Sequence, residues 1–222
     1  MAELYHALNR GVEKRQIFLD DQDRARFVHD MYEFNDSSPA GNTRRTLHPM
    51  TEFVTRTSDR ERNPLVNVHA WCLMGNHYHL LLSDCVDGGI TRFLRKLNIG
   101  YAMYFNEKYK RSGTLFQGRT KRIHIDKEPY FLHILHYIHL NPLDFSQGSS
   151  EWRLGKIVST GAALNYLEQY RWSSYLDYCN TRNFPSILDK TAYAETYPDY
   201  RLSLRSYLAD MRPSEASELF LE

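Results

Sequence analysis

Residues 71–83 read WCLMGNHYHLLLS, and this stretch sets the fold that the sequence predicts. The apolar runs on either side of the Gly-Asn pair at 75–76 are typical of strands, and the pair itself is typical of a hairpin turn. Residues i and i+2 of a strand point to the same face, so His77 and His79 share a face and Tyr78 points the other way. Neutral imidazole is the commonest protein metal ligand, so the pair predicts a divalent-cation site on a sheet. The alternative is two surface or hydrogen-bonded histidines.

The remaining pattern predicts an α+β chain. Strands are expected at 5–10 and 120–125, and helices from Asp20 or Asp21 to about 34, at 89–109 and at 127–139. The order β-α-β-β-α-β plus a further helix predicts a ferredoxin-like antiparallel sheet with helices on one face. This gives a domain over 1–144 with an insertion at about 37–63, and a mostly helical C-terminal extension over 145–222 with helical pieces at 160–166, 173–178 and 200–211.

Composition narrows the class of protein. The 222 residues contain no run of 18 apolar residues, so no membrane span is expected. The N-terminus shows no basic segment followed by an apolar one, so no secretory signal is expected. Three cysteines, Cys72, Cys85 and Cys179, lack CxxC spacing, which disfavours a disulfide framework or a zinc–cysteine site. A cytoplasmic protein is expected.

Charge is unevenly distributed along the chain. The net charge is +1, but residues 92–122 hold nine Lys or Arg against one acid, Glu107, a local surplus of +8. Aromatic residues interleave with these cations, a mixture suited to pairing with phosphates and stacking on bases. The alternative is a solvated helix face whose aromatic side lies in the core.

Several ordered motifs together resemble a known family. The motifs are MGNHYH at 74–79, the basic helix predicted at 89–109, LFQGR at 115–119 and HYIHLNPL at 136–143. They resemble the single-tyrosine HUH transposases, in particular the branch associated with repetitive extragenic palindromes (REPs). The resemblance covers roughly residues 4–144 and again YRWSSY at 170–175. It implies the HUH endonuclease fold and a transposase, a metal-dependent single-stranded DNA endonuclease and strand transferase that cuts and rejoins DNA near hairpins through a 5′-phosphotyrosine intermediate.

The resemblance also implies roles for individual residues. Tyr137 would be the nucleophile, and Asn141, one helical turn further on, would be a third metal ligand beside His77 and His79. The cofactor would be Mg²⁺ or Mn²⁺. The partner would be single-stranded DNA with a REP-like hairpin, bound by a monomer or a homodimer. His136 and His139 flank the tyrosine; each is expected to bond DNA or to face solvent, and neither is given a catalytic role.

Five polar side chains are candidates for holding the DNA strand. Arg119 is favoured because an arginine after a glycine can approach a phosphate or a guanine edge closely. The alternative for each is a surface salt bridge. The full set is Arg10, Gln117, Arg119, Lys121 and Arg122.

Three other functions remain open. A ferredoxin-like sheet also underlies non-catalytic nucleic-acid-binding modules that stack bases on aromatic side chains. An HUH replication initiator or relaxase would use the same strand chemistry in another biological setting. A structural zinc protein is disfavoured by the lack of cysteine ligands. Convergence of His77, His79 and Tyr137 in space is the observation that separates the enzyme from the binding module.

Overall fold

The computed structural model describes residues 3–38 and 62–211. Its centre is a four-stranded sheet in the order β2-β3-β1-β4, in which every neighbouring pair is antiparallel. The strands are β1 (Leu4–Arg10), β2 (Val66–Leu73), β3 (His77–Asp84) and β4 (Lys121–Ile125).

Two long helices cover one face of this sheet. They are α1 (Asp21–Phe34) and α2 (Gly89–Lys108), and they follow β1 and β3 in the chain. The Asp20 side chain caps α1 by accepting a hydrogen bond from the amide of Asp23 at 2.9 Å. The order β1-α1-β2-β3-α2-β4 is the ferredoxin-like arrangement, so the predicted α+β class and antiparallel sheet are confirmed.

The opposite face is covered as well. Leu80 and Leu82 of β3 lie in the core with α1 and α2, whereas Leu81 lies in a second core with α3 (Glu128–Leu140). A strand that is apolar on both faces needs cover on both. The prediction of helices on one face therefore holds for α1 and α2. On the opposite face, α3 and the C-terminal helices share the second core. Those helices are α4 (Thr160–Gln169), α5 (Tyr175–Tyr178) and α6 (Tyr200–Asp210).

The C-terminal segment also pairs with the edge of β2. The amide of Leu73 donates to the carbonyl of Trp172 at 2.9 Å, and the amide of Ser174 donates to the carbonyl of Trp71 at 3.0 Å. The helix predicted at 173–178 begins only at Tyr175 because Ser174 is engaged in this pairing. The division into 1–144 and 145–222 stays a prediction, and most of the expected insertion lies outside the described residues.

The turn between β2 and β3 is held by the loop after β1. The carbonyl of Gly75 accepts hydrogen bonds from the amides of Ile17 at 2.9 Å and Phe18 at 3.1 Å. The carbonyl of Asn76 accepts one from Gly11 at 2.8 Å. These bonds fix the point at which β3 begins, and therefore the position of His77.

Within 3–38 and 62–211, no helix is long and apolar enough to cross a membrane.

Candidate active site

The two histidines of β3 lie on the sheet face that α3 covers. His77 is 8% exposed, His79 is fully buried, and their ring centroids are 4.9 Å apart. Tyr78 points to the opposite face, where its ring lies 4.9 Å from that of Phe27 in α1. Strand alternation thus places the pair as the sequence predicts.

Tyr137 of α3 contacts His79 and a third histidine, His6 of β1. Its ring centroid lies 5.7 Å from that of His79 and 5.9 Å from that of His6, in edge-on contacts. The side chain is 1% exposed. The structure therefore brings His77, His79 and Tyr137 into one buried cluster.

His6 belongs to this cluster and was missed by sequence reasoning. In the β1–β3 register Leu8 lies opposite His79, so His6, two residues away on β1, shares the same face. Its ring lies nearly parallel to that of His79, with centroids 5.2 Å apart and an interplanar angle of 13°. Only the pairing register of two strands far apart in the chain reveals the contact.

Hydrogen bonds orient both imidazoles of β3. His77 Nδ1 donates to Asn76 Oδ1 at 2.6 Å, and the Asn76 amide nitrogen donates to the carbonyl of Lys14 at 3.2 Å, which sets the orientation of that amide. His79 Nδ1 bonds to His6 Nε2 at 2.9 Å. A metal-ligating histidine normally has its second ring nitrogen hydrogen-bonded in this way. In the neutral imidazole of His77 the lone pair is consequently on Nε2.

Asn141 lies directly after α3, fully buried. Its amide nitrogen donates to the carbonyl of Tyr137 at 2.8 Å, and its Oδ1 accepts a hydrogen bond from Arg153 at 2.6 Å. The oxygen expected to bind a metal is thus engaged by a guanidinium, and its ligand role stays a prediction. No group of three or more His, Cys, Asp or Glu side chains is arranged to hold a metal ion in the part of the chain that the structure describes.

Arg153 is a second site residue that sequence reasoning missed. It belongs to a short 3₁₀ turn, Trp152–Leu154, in the predicted C-terminal extension. Its guanidinium lies 5.8 Å from the ring centroid of Tyr137 and forms an ion pair with Asp144. Nothing in the local sequence indicates that this turn reaches α3.

The three histidines of α3, His133, His136 and His139, are buried. The expectation that His136 and His139 face solvent or DNA is therefore wrong. His139 bonds the Tyr200 hydroxyl of α6 at 2.7 Å through Nδ1. Burial lowers the pKa of His133 to about 4 and that of His136 to about 3, and it holds the pKa of His139 well below its ordinary value. These imidazoles are neutral near pH 7 and join α3 to α6.

The five DNA-binding candidates do not form one surface. Lys121 of β4 lies opposite Leu8 and therefore on the histidine face, whereas Arg122 lies on the other face and donates to the Thr91 hydroxyl of α2 at 2.8 Å. Arg10 lies opposite His77 at the end of β1. Exposed Gln117 and Arg119 belong to the loop before β4.

Two lysines of the basic helix α2 are engaged within the protein. Lys108 forms ion pairs with Asp20 at 2.8 Å and Asp23 at 2.7 Å, and Lys96 donates to the carbonyl of Ser38 at 2.8 Å. Tyr101 is fully buried. For these residues the structure shows the alternative to a DNA-binding surface: a helix whose aromatic side lies in the core.

The chain has a structural similarity to a known protein but no match in sequence. No family model matches the chain, and no curated protein matches it in sequence. The chain is similar to a solved structure described as a REP-associated tyrosine transposase bound to a REP hairpin. The TM-score is 0.47 and the identity 13%, over 86% of this chain and 87% of that chain.

Proposed function

We propose that this protein is a metal-dependent endonuclease and strand transferase for single-stranded DNA, a transposase-type enzyme in which Tyr137 is the nucleophile. The observation that carries the proposal is the contact of the Tyr137 ring with the imidazoles of His79 and His6, at 5.7 Å and 5.9 Å between centroids. A phenol placed beside imidazoles on a sheet face is suited to covalent attack on phosphorus.

Cleavage and rejoining of the DNA strand need no nucleotide cofactor. The Tyr137 oxygen forms a bond to phosphorus while the bond from phosphorus to the 3′ oxygen breaks. The phenol gives up one proton, and the leaving 3′ oxygen takes one up and becomes a 3′-hydroxyl. The product is a 5′-phosphotyrosine, and attack by a 3′-hydroxyl reverses the step and rejoins DNA.

The donor set suits a divalent cation. His77 and His79 would hold it through Nε2, because both Nδ1 atoms are hydrogen-bonded within the protein. When bound, Mg²⁺ or Mn²⁺ neutralises phosphate oxygens and favours phenolate character in the attacking group. Two imidazoles leave the other ligand positions to oxygen atoms. Asn141 Oδ1 is the proposed protein donor among them, and it would use its second lone pair because the first accepts from Arg153.

The proposed partner is a single strand beside a REP-like hairpin, bound by a monomer or a homodimer. Lys121 and Arg10 lie on the sheet face that carries His77 and His79, and Arg119 is exposed in the loop before β4. These cations would hold phosphates near the nucleophile. Arg122 lies on the other sheet face, so it is assigned to a part of the DNA strand that is more distant from Tyr137.

A base-stacking module is the weaker candidate. Such a module needs an open sheet face with exposed aromatic side chains. Here both faces pack against helices, and Tyr78 and Tyr101 are fully buried. An HUH replication initiator or relaxase would share the proposed chemistry, and the DNA substrate alone would separate it from a transposase.

Strand cleavage tests the proposal. Hairpin-bearing single strands labelled at either end are incubated with the protein in Mn²⁺, in Mg²⁺ and in excess chelator. We expect cleavage with metal and none in chelator, with a free 3′-hydroxyl on one fragment. Unchanged cleavage in chelator would refute the metal role, and no cleavage under any condition would favour the binding module.

A further inference from the structure

We infer that Arg153 binds the phosphate that Tyr137 attacks, and that in the DNA-free protein the carboxylate of Asp144 takes the place of that phosphate. The inference deepens the proposed function and rests on it. It assigns part of the site to the C-terminal segment, for which the sequence indicates no role.

The position of Arg153 is the first support. Tyr137 is 1% exposed, so an incoming phosphate has to enter beside one of the side chains that surround it. Arg153 lies over the Tyr137 ring at 5.8 Å and is itself 24% exposed in its side chain. It therefore places a permanent positive charge beside the ring of the nucleophile, on a side chain that solvent partly reaches.

The way the guanidinium is held is the second support. One terminal nitrogen donates to Asn141 Oδ1 at 2.6 Å, and the central carbon Cζ lies 4.5 Å from the centroid of the Trp152 ring. Asn141 in turn donates to the carbonyl of Tyr137 at 2.8 Å. The cation is thus tied to the backbone of the nucleophile, which fixes their separation.

The partner of the guanidinium is the third support. Asp144 is 29% exposed and pairs with Arg153 through Oδ1. A carboxylate and a phosphate oxygen pair present the same geometry to a guanidinium, so one can replace the other. The same Oδ1 accepts a hydrogen bond from Trp152 Nε1 at 2.8 Å, which an asparagine at 144 would still accept.

These contacts predict opposite effects for the two partners. Arg153→Met keeps the bulk of the stem but removes the charge, and should weaken binding of a hairpin-bearing single strand about 10-fold or more, the usual effect of losing a charge-assisted hydrogen bond. Asp144→Asn removes the competing charge, and should tighten binding. A purely structural ion pair would make both variants bind equally or worse.

The chain offers a matched control. Arg26 also pairs with an aspartate, Asp30, at 2.9 Å, and also lies over a tyrosine ring, that of Tyr104, at 5.0 Å. It belongs to α1, on the opposite sheet face. Arg26→Met should leave the affinity for DNA unchanged.

The experiment measures the dissociation constant of a fluorescent hairpin-bearing strand in chelator, and separately the rate of covalent adduct formation with Mn²⁺. Weaker binding and a slower adduct for Arg153→Met, with tighter binding for Asp144→Asn, would support the inference. Arg153→Lys should recover part of the affinity. If Arg153→Met does not fold, the other two variants still test the inference. Asp144→Asn should then lower the dissociation constant for DNA, and Arg153→Lys should raise it moderately.

The inference is overturned if Arg153→Met and Arg26→Met bind alike, if Asp144→Asn binds more weakly than wild type, or if wild type binds no DNA. A wild-type protein that binds DNA with this pattern but forms no adduct would refute the nucleophile and leave the phosphate site standing. The two failures are therefore distinguishable.

Discussion

Lowering the pH from 7 to 5 should destabilise the fold through the histidines buried between α3 and α6. Burial lowers the folded-state pKa of His133 to about 4 and of His136 to about 3, against an ordinary value of 6.5. In the unfolded chain each imidazole takes up a proton as the pH falls through 6.5, while the folded protein does not, so stability is lost from about pH 6.5 downward and the loss levels off below the folded pKa.

The size of the effect follows from the same shifts. Each unmatched proton costs about 1.4 kcal/mol per pH unit, so 1.5 units give about 2 kcal/mol for each histidine between pH 6.5 and 5. The result does not depend on how far below pH 5 the folded pKa lies. Two such histidines remove about 4 kcal/mol, a large part of the stability of an ordinary domain.

Urea unfolding at pH 7 and pH 5 measures this loss. His133→Phe removes one titrating group and should lose about 2 kcal/mol less than wild type between the two pH values. Tyr207→Phe removes the hydroxyl that bonds His133 Nδ1 at 2.6 Å but keeps the imidazole, so its pH dependence should remain that of wild type. Equal pH dependence of His133→Phe and wild type would refute the reasoning.

Three further predictions concern the site. His79→Ala should slow metal-dependent cleavage more than about 100-fold, since even partners outside the first ligand sphere cost 10–100-fold; His69→Gln, a buried histidine of β2, is the control, and equal slowing would contradict the assignment. Replacing Arg119 and Lys121 by Gln should reduce the dependence of log affinity on log salt by about 1.4, since each phosphate contact on a single strand contributes about 0.7; an unchanged slope would exclude this surface. Phe145, which is 53% exposed and follows Asp144, should stack on a base, so Phe145→Ala should weaken single-strand binding by about 1–3 kcal/mol with no change in melting temperature, and an unchanged dissociation constant would count against it.

The fold follows from local periodicity in most of its parts. The pattern predicts α2 over 89–109 and the structure has Gly89–Lys108, because its apolar side repeats at helical spacing. The packing of the C-terminal helices against the second sheet face, beside α3, was not predicted. The run Leu80 to Leu82 is apolar on both faces, but a short apolar run does not reveal which segment packs on it.

The site was predictable where alternation or a motif governs it. His77 and His79 share a sheet face as expected and Tyr137 contacts His79, while the roles of the three residues stay predictions. His6 depends on the register between β1 and β3, and Arg153 depends on how a short turn packs on α3, and neither has a local signal. The split between Lys121 and its neighbour Arg122 follows from strand alternation and was open to prediction.

The most direct test of the account is a covalent adduct on Tyr137. An intact hairpin-bearing strand labelled at its 3′ end is incubated with the protein and Mn²⁺ and run on a denaturing gel, and the attached peptide is identified by mass spectrometry. Tyr137→Phe removes one oxygen and keeps the ring; Tyr78→Phe, which loses a hydroxyl bonded to Asn98 at 2.8 Å on the other sheet face, is its control. We expect label on Tyr137 in wild type and in Tyr78→Phe, and none in Tyr137→Phe. Label that persists in Tyr137→Phe, or maps to another tyrosine, would contradict it.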